Sequence, residues 1–302
     1  MKMDFLKLSD WSRSGLDRIF ALTRDLKRQQ KQGEPHALLA GKTLGMLFEK
    51  SSTRTRVSFE VGMYQLGGHA LFLSSATTQI GRGEPVRDTA RVMSRYVDGL
   101  MIRTFSQQVV EDLARYSSIP VINGLTDLYH PCQLMADLFT VVEHKGGYEN
   151  QIFCWIGDGN NMANSWINAA TAFGFKLRVA TPAGYEPDAA VRQRAADAGA
   201  EILYTDDPLE AASGATVLNT DVWASMGQEQ EQEKRRRAFA GFQINRETVA
   251  AAADDCIVLH CLPAHRDEEI TDEVIEGPNS VIFDEAENRL HVQKAIMATL
   301  MQ

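Results

Sequence analysis

In the stretch FEKSSTRTRVSFE, residues 48–60, four hydroxyl side chains and two guanidinium groups fall within six positions, Ser51 to Arg56. They stand between an apolar run and a stretch of apolar periodicity, so they open a helix just after a strand. The first N–H groups of a helix have no internal partner and carry the positive end of its dipole. Arg54 and Arg56 can grip a phosphate through paired N–H donors. The stretch STRTR, with Arg54 and Arg56 both included, therefore reads as an anion site. The GxxxxGK[ST] pattern of a P-loop is absent. On these residues alone, an ordinary N-cap with surface arginines is the competing reading.

Further polar residues stand at the ends of apolar runs. Arg103 closes GLMIRT, where it points into a ligand crevice or is a plain surface residue. In YHPCQLMADLF, His130 precedes a helix and Gln133 lies in its first turn. The histidine can donate to a carbonyl oxygen and the glutamine can donate and accept, or the pair simply caps the helix. WIGDGNNMANS carries half a dinucleotide fingerprint, Gly157 and Gly159, but Met162 stands where the third glycine belongs. The next apolar run ends in Thr181-Pro182, with no acid to hold a ribose. Asn160 and Asn161 suit the ammonium and carboxylate of an amino acid instead. Asp221, after ATVLNT, can pair with a cationic amine, and Ser225, Met226 and Gly227 follow it in a loop. In HCLPAHR, Cys261 lies beside His260 and near His265. It can be a nucleophile, a metal ligand or a polar lining residue. A metal would want a further His/Cys cluster, and a nucleophile a positioned base.

Alternating strands and helices must position these groups. Apolar runs at 43–48, 69–74, 99–104 and 119–124 read as strands, with helices over 12–32, 53–66, 86–97 and 109–116. A helix over 131–144, with Pro at its first turn, ends the series. The alternation restarts with strands at 151–157, 176–182, 201–205, 215–220 and 256–262, helices over 161–173 and 188–198, and a closing helix over 285–300. The charge run EQEQEKRRRAF (229–239) reads as a solvated helix face. This alternation predicts an α/β protein of two doubly wound parallel-sheet domains, 1–145 and 146–285, with a helix over 286–302 rejoining the first and the active site in the cleft between them.

The chain of 302 residues suits two such domains, and its net charge of −9 argues against a nucleic-acid binder. The N-terminus lacks the apolar core of a signal peptide, and no run is long enough to span a bilayer. The four cysteines, Cys132, Cys154, Cys256 and Cys261, show no CxxC spacing, which fits a reduced cytoplasmic enzyme.

Taken together, STRTR, HPCQ, DVWASMG and HCLP resemble the aspartate/ornithine carbamoyltransferase family, and the last two its ornithine branch, over nearly the whole chain. The resemblance implies that Ser52, Thr53, Arg54 and Thr55 hold the phosphate of carbamoyl phosphate, with Arg103 bridging phosphate and carbonyl. It implies that His130 and Gln133 hold the carbamoyl group, that Gln79 reaches a neighbouring subunit's site, and that Arg289 closes on the phosphate. Asn161, Asp221, Ser225 and Met226 would bind ornithine, with Cys261 and Leu262 at the reaction centre. It further implies a homotrimer or a multiple of one, no cofactor and no metal, and citrulline as product. Rivals are a carbamoyltransferase for putrescine or acylated ornithine, a nucleotide-dependent oxidoreductase, and a non-catalytic anion-binding module. Asp221 with SMG favours free ornithine, whose α-amine wants an acid. The broken glycine pattern disfavours the oxidoreductase.

Overall fold

The computed structural model describes residues 2–75, 83–224 and 231–302. The chain forms two compact units, Met1–Met135 with Asn288–Gln302, and Ala136–Glu287. The first contains α1 (Arg13–Gln32), β1 (Thr43–Phe48), α2 (Thr53–Gln65), β2 (His69–Ser74), α3 (Val86–Met93), β3 (Gly99–Arg103), α4 (Gln107–Tyr116) and β4 (Val121–Leu125). Helix α5 (Pro131–Lys145) carries the chain into the second. There follow β5 (Ile152–Ile156), α6 (Asn161–Phe173), β6 (Lys176–Ala180), α7 (Ala189–Asp197), β7 (Ile202–Thr205), α8 (Pro208–Ala212), β8 (Val217–Thr220), α9 (Gln232–Ala238), α10 (Arg246–Ala251), β9 (Ile257–His260) and α11 (Asp272–Ile275). Helix α12 (Ile282–Met301) returns the chain to the first unit. Among the described residues, no helix is long and apolar enough to cross a membrane.

Both sheets are parallel throughout their described strands, as expected for the α/β class. The first has the order β2-β1-β3-β4 and the second β7-β6-β5-β8-β9. In each, the chain winds outward one way from its first strand and then crosses to the other side. The strand order therefore reverses between β1 and β3, and again between β5 and β8. Loops leaving the carboxyl ends of strands at such a switch point diverge and leave a crevice, the general ligand position in open α/β sheets. The register Phe48↔Arg103 puts the end of GLMIRT level with the start of the STRTR loop. The Glu49 N–H donates to the Arg103 carbonyl at 2.9 Å and holds that level.

Apolar side chains alternating across the buried strands build a core on each sheet. In the first unit Leu47, Leu100, Ile102, Val110, Leu113 and Val121 pack together. In the second, Ile156, Leu218, Phe239, Val258 and Ile270 do so on one side, and the Phe153, Trp166 and Phe175 rings meet on another, with centroids 4.2–6.1 Å apart. Each fully buried side chain of this size contributes roughly 1.5–3 kcal/mol.

The structure departs from the sequence expectation in three places. Helix α3 ends at Met93 rather than Val97, because Asp98 is drawn into the sheet: its N–H donates to the Thr43 carbonyl and its carboxylate accepts the Thr43 N–H, both within 2.9 Å. Helices α8, α10 and α11 went unread; α10 opens on a capping box in which Thr248, not Glu or Gln, returns the bond to Asn245. The charge run is indeed helical in α9, but it is not solvated all round, since Arg235 is buried.

Lys294 on α12 is also buried, with Nζ donating to His36 Nε2 at 2.7 Å and Gln65 Oε1 at 2.8 Å. Burial pushes its ammonium down from 10.5 to about 8. The unfolded chain thus holds the proton between about 8 and 10.5 while the fold has released it, so this group makes stability rise with pH across that window. Urea unfolding of wild type and Lys294→Met should diverge from about pH 8 upward, wild type gaining relative to the variant; parallel curves would refute the assignment.

Candidate active site

Ser52 is the N-cap of α2, its Oγ accepting the Thr55 N–H at 3.3 Å and donating to Thr55 Oγ1 at 3.1 Å. The N–H groups of Thr53 and Arg54 are among those a helix leaves without an intrahelical acceptor. Thr53 and Arg54 are exposed and Thr55 is buried. Arg289, from α12, donates Nη2 to Thr55 Oγ1 at 3.0 Å and Nη1 to Gln133 Oε1 at 2.6 Å. One buried guanidinium on α12 therefore joins STRTR and HPCQ, motifs far apart in sequence, beside the switch point of the first sheet.

Arg103 and His130 are buried in the same unit. Burial, and then the charges of Arg289 and Arg103, hold the His130 imidazole well below its usual range. It is therefore a neutral ring, able to donate one N–H without bringing a charge. Two guanidinium groups, a neutral imidazole and a helix N-terminus together suit a small dianion with a carbonyl oxygen attached.

Arg56 departs from the sequence reading. Its Nε donates to Glu60 at 3.0 Å and its guanidinium lies 3.9 Å over the Phe72 ring. Residues two positions apart on a helix are separated by about 200° around its axis, so Arg54 and Arg56 cannot both face one ligand from α2.

In the second unit, Asp221 follows β8 and Cys261 follows β9. The Cys261 thiol donates to Asp221 Oδ1 at 3.2 Å, the Val222 N–H to the same oxygen at 2.8 Å, and Asn160 Nδ2 to Oδ2 at 3.1 Å. Asn160 is also the N-cap of α6, accepting the Met162 and Ala163 N–H groups. One amide thus fixes both the helix start, where Asn161 sits, and the orientation of Asp221. Burial, then the carboxylates of Asp221, Glu285 and Asp137, push the Cys261 thiol well above its ordinary range. That environment is opposite to the electropositive one that makes a nucleophilic thiolate.

The fold also gathers Asp221, His260 and Cys261 so that their ligand atoms lie within 4.8 Å of one another, a cluster the spacing in sequence did not reveal. These atoms are engaged by protein hydrogen bonds: the thiol on Asp221, and the two His260 nitrogens on Leu262 and Glu269.

Gly159 explains the half fingerprint. A Cβ there would lie 2.3 Å from the Glu186–Pro187 backbone, and the Gly159 N–H donates to the Tyr185 carbonyl at 2.9 Å. The glycine is required by the chain's own packing. Sequence reasoning also missed Asp158, which accepts from Arg235 Nη1 at 2.9 Å; that same nitrogen donates to the Trp223 carbonyl at 2.8 Å. Burial pushes the Asp158 carboxyl up to about 6 against the opposing pull of Arg235. Gln79, Ser225 and Met226 lie outside the described residues.

Comparison with known proteins places this architecture. The carbamoyl-P binding domain model of aspartate/ornithine carbamoyltransferase matches residues 3–143, and the Asp/Orn binding domain model of the same family matches residues 149–300. The chain is 74% identical over 301 residues to an ornithine carbamoyltransferase of Syntrophotalea carbinolica and 64% identical over 303 residues to one of Geobacter metallireducens, each alignment covering 100% of both chains. It superposes on the solved ornithine carbamoyltransferase of Pyrococcus furiosus with a TM-score of 0.95 at 51% identity, covering 99% of this chain and 97% of that one.

Proposed function

We propose the activity from one premise: the chain belongs to the aspartate/ornithine carbamoyltransferase family. It transfers the carbamoyl group of carbamoyl phosphate to the δ-amine of L-ornithine, giving L-citrulline and phosphate. The observation that carries this reading is the Arg289 guanidinium holding Thr55 and Gln133 together beside a neutral His130. We assign carbamoyl phosphate to residues 1–145 with 286–302, and ornithine to 146–285.

In this reading Ser52, Thr53, Arg54 and Thr55 bind the phosphate at the α2 N-terminus, and Arg103 bridges phosphate and carbonyl oxygen. His130 and Gln133 hold the carbamoyl group. Arg289 organises Thr55 and Gln133, and Leu262 lines the reaction centre. Asp221 takes an ammonium of ornithine, Asn161 its carboxylate, and Ser225 and Met226 complete the acceptor site. The δ-amine loses a proton and attacks the carbonyl carbon. Negative charge gathers on the carbonyl oxygen, facing donors from Arg103, Thr55 and His130. The C–O bond to phosphate then breaks, phosphate keeps the electron pair in the site that held it, and the remaining surplus proton on the attacking nitrogen passes to that phosphate, leaving a neutral amide N–H. Orientation and electrostatics supply the rate, so the scheme calls on no cofactor and no metal.

The deciding assay is citrulline formation from carbamoyl phosphate with ornithine, putrescine, N-acetylornithine or aspartate offered in turn. Turnover with ornithine far above the others is expected; a preference for any of the others overturns the acceptor assignment. Cys261→Ser, which keeps a donor for Asp221, should retain turnover within about a hundredfold of wild type, since a lost support of the reacting groups typically costs ten- to a hundredfold. Mass spectrometry of the enzyme during turnover should find no carbamoylated Cys261; trapping one would make the thiol a nucleophile.

We assign the assembly as a homotrimer or a multiple of one, in the cytoplasm. Val57 and Tyr64, seven positions apart on α2, and Phe72 on the edge strand β2 are exposed, apolar side chains that a partner subunit would cover. Gln79, which follows β2, then serves the neighbour's site. Inactive Gln79→Ala and Arg54→Ala chains, unfolded and refolded together, should regain about a quarter of the sites, because in a cyclic trimer each of two positions is correctly filled half the time. Activity no higher than that of the separate variants would place Gln79 in its own chain's site.

A further inference from the structure

His260 is entirely buried at the end of β9, directly before Cys261 and Leu262, yet its ring is absent from the scheme above. Both ring nitrogens are occupied. Nδ1 lies 2.9 Å from the Leu262 N–H, two residues on, and Nε2 lies 3.0 Å from Glu269 Oε1. A backbone N–H can only donate, so Nδ1 must be the unprotonated nitrogen, and Nε2 must carry the proton that Glu269 accepts. The ring is thereby set in a single tautomer and orientation.

The surroundings extend this arrangement. Glu269 is buried, and its Oε1 also accepts the His265 N–H at 2.6 Å, so one carboxylate oxygen ties both ends of the turn 260–265. The His260 N–H donates to Glu285 Oε2 at 2.8 Å, fixing the strand end from which the turn departs. Leu262 itself sits at φ +57°, a left-handed conformation that a leucine keeps only where its surroundings over-determine it. The His260 imidazole holds its N–H.

We propose that His260, oriented by Glu269, is a positioning residue for the transfer reaction: its Nδ1 holds the Leu262 backbone, and so sets the turn that presents Cys261 and Leu262 to the substrates. This rests on the carbamoyltransferase reading. The ring neither touches substrate nor moves a proton; it supplies a fixed acceptor. If it were only filling the core, two amides of similar size would be interchangeable.

They are not equivalent in geometry. In His260→Asn the amide oxygen falls where Nδ1 was and can accept the Leu262 N–H, while the link to Glu269 is lost. In His260→Gln the amide nitrogen falls where Nε2 was and can reach Glu269, while Leu262 loses its acceptor. His260→Asn should keep kcat within about tenfold of wild type and the KM for ornithine close to it; His260→Gln should lose about a hundredfold in kcat, the scale of a small misplacement of reacting groups. Melting temperatures of the two should be lowered alike. Equal losses in the two variants, or the reverse order, would overturn the proposal. A second measurement needs no variant. In wild type with ¹⁵N-labelled histidine, Nδ1 of His260 should resonate at neutral pH as an unprotonated nitrogen coupled across a hydrogen bond, and Nε2 as a protonated one. A protonated Nδ1 would exclude the role even if both variants failed to fold. The tautomer is read without turnover, and absence of citrulline in wild type would instead count against the activity itself, so the two failures are separable.

Discussion

Arg54→Ala is expected to lower kcat/KM for carbamoyl phosphate by about 10²–10³-fold, or roughly 3–4 kcal/mol of transition-state stabilisation. The lost group is a charge-assisted fork aimed at a phosphate that becomes more negative as it leaves, so the loss should fall on kcat as well as on KM. Arg54 is exposed, so its removal should shift stability by no more than about 0.5 kcal/mol. Unaltered urea unfolding alongside the kinetic loss makes the result interpretable. Arg54→Lys should recover part of the activity, since the charge returns without the fork. Arg56→Ala is the internal control: that guanidinium is spent on Glu60 and Phe72, and its loss should leave carbamoyl phosphate kinetics within a few-fold of wild type. Near-normal turnover in folded Arg54→Ala would sink the phosphate-site reading.

The two arginines show where sequence reading stops. That STRTR opens a helix after a strand follows from composition and periodicity, because an apolar run followed by a hydroxyl N-cap has few other structures available. Which arginine faces the ligand is set by helical phase and by a ring, Phe72, that arrives from the next strand. Parallel strands are legible for the same reason as the helix start: buried on both faces, they are written as unbroken apolar runs such as GLMI and CIVL. The short helices α8, α10 and α11 are not, since four to six residues do not complete two turns of any period. Arg235 was hidden differently. Within EQEQEKRRRAF its neighbours Arg236 and Arg237 pair at the surface with Glu268 and Glu233, while Arg235 turns inward to Asp158, 77 positions away. No local pattern encodes a partner at that distance. Asn160 lay in plain view beside Asn161, but its dual bond to the α6 N-terminus and to Asp221 needs the fold.

His130→Ala should cut kcat by about 10²–10³-fold, the cost of one donor to a developing oxyanion, and should leave the acid limb of the pH–rate profile where it was. The second half follows from the state of the ring. Burial and the two flanking guanidinium groups keep His130 neutral to well below its ordinary range, so it does not change charge through neutral pH, where activity is expected to rise. That limb belongs instead to the acceptor amine, an alkyl ammonium that must lose its proton to attack. A limb that moves with His130→Ala would make the histidine the titrating base and would remove it from the donor role. Stability supplies an independent check. The unfolded chain takes up a proton on this ring below about pH 6.5 and the folded chain does not, so the group makes wild type lose stability as pH falls from there. His130→Ala lacks that proton uptake. Its stability should therefore fall less steeply than that of wild type between about pH 6.5 and 5, whatever the offset between the two at neutral pH. Equal slopes would mean that His130 is not held neutral, and the oxyanion donor would then have to be sought in a charged imidazolium.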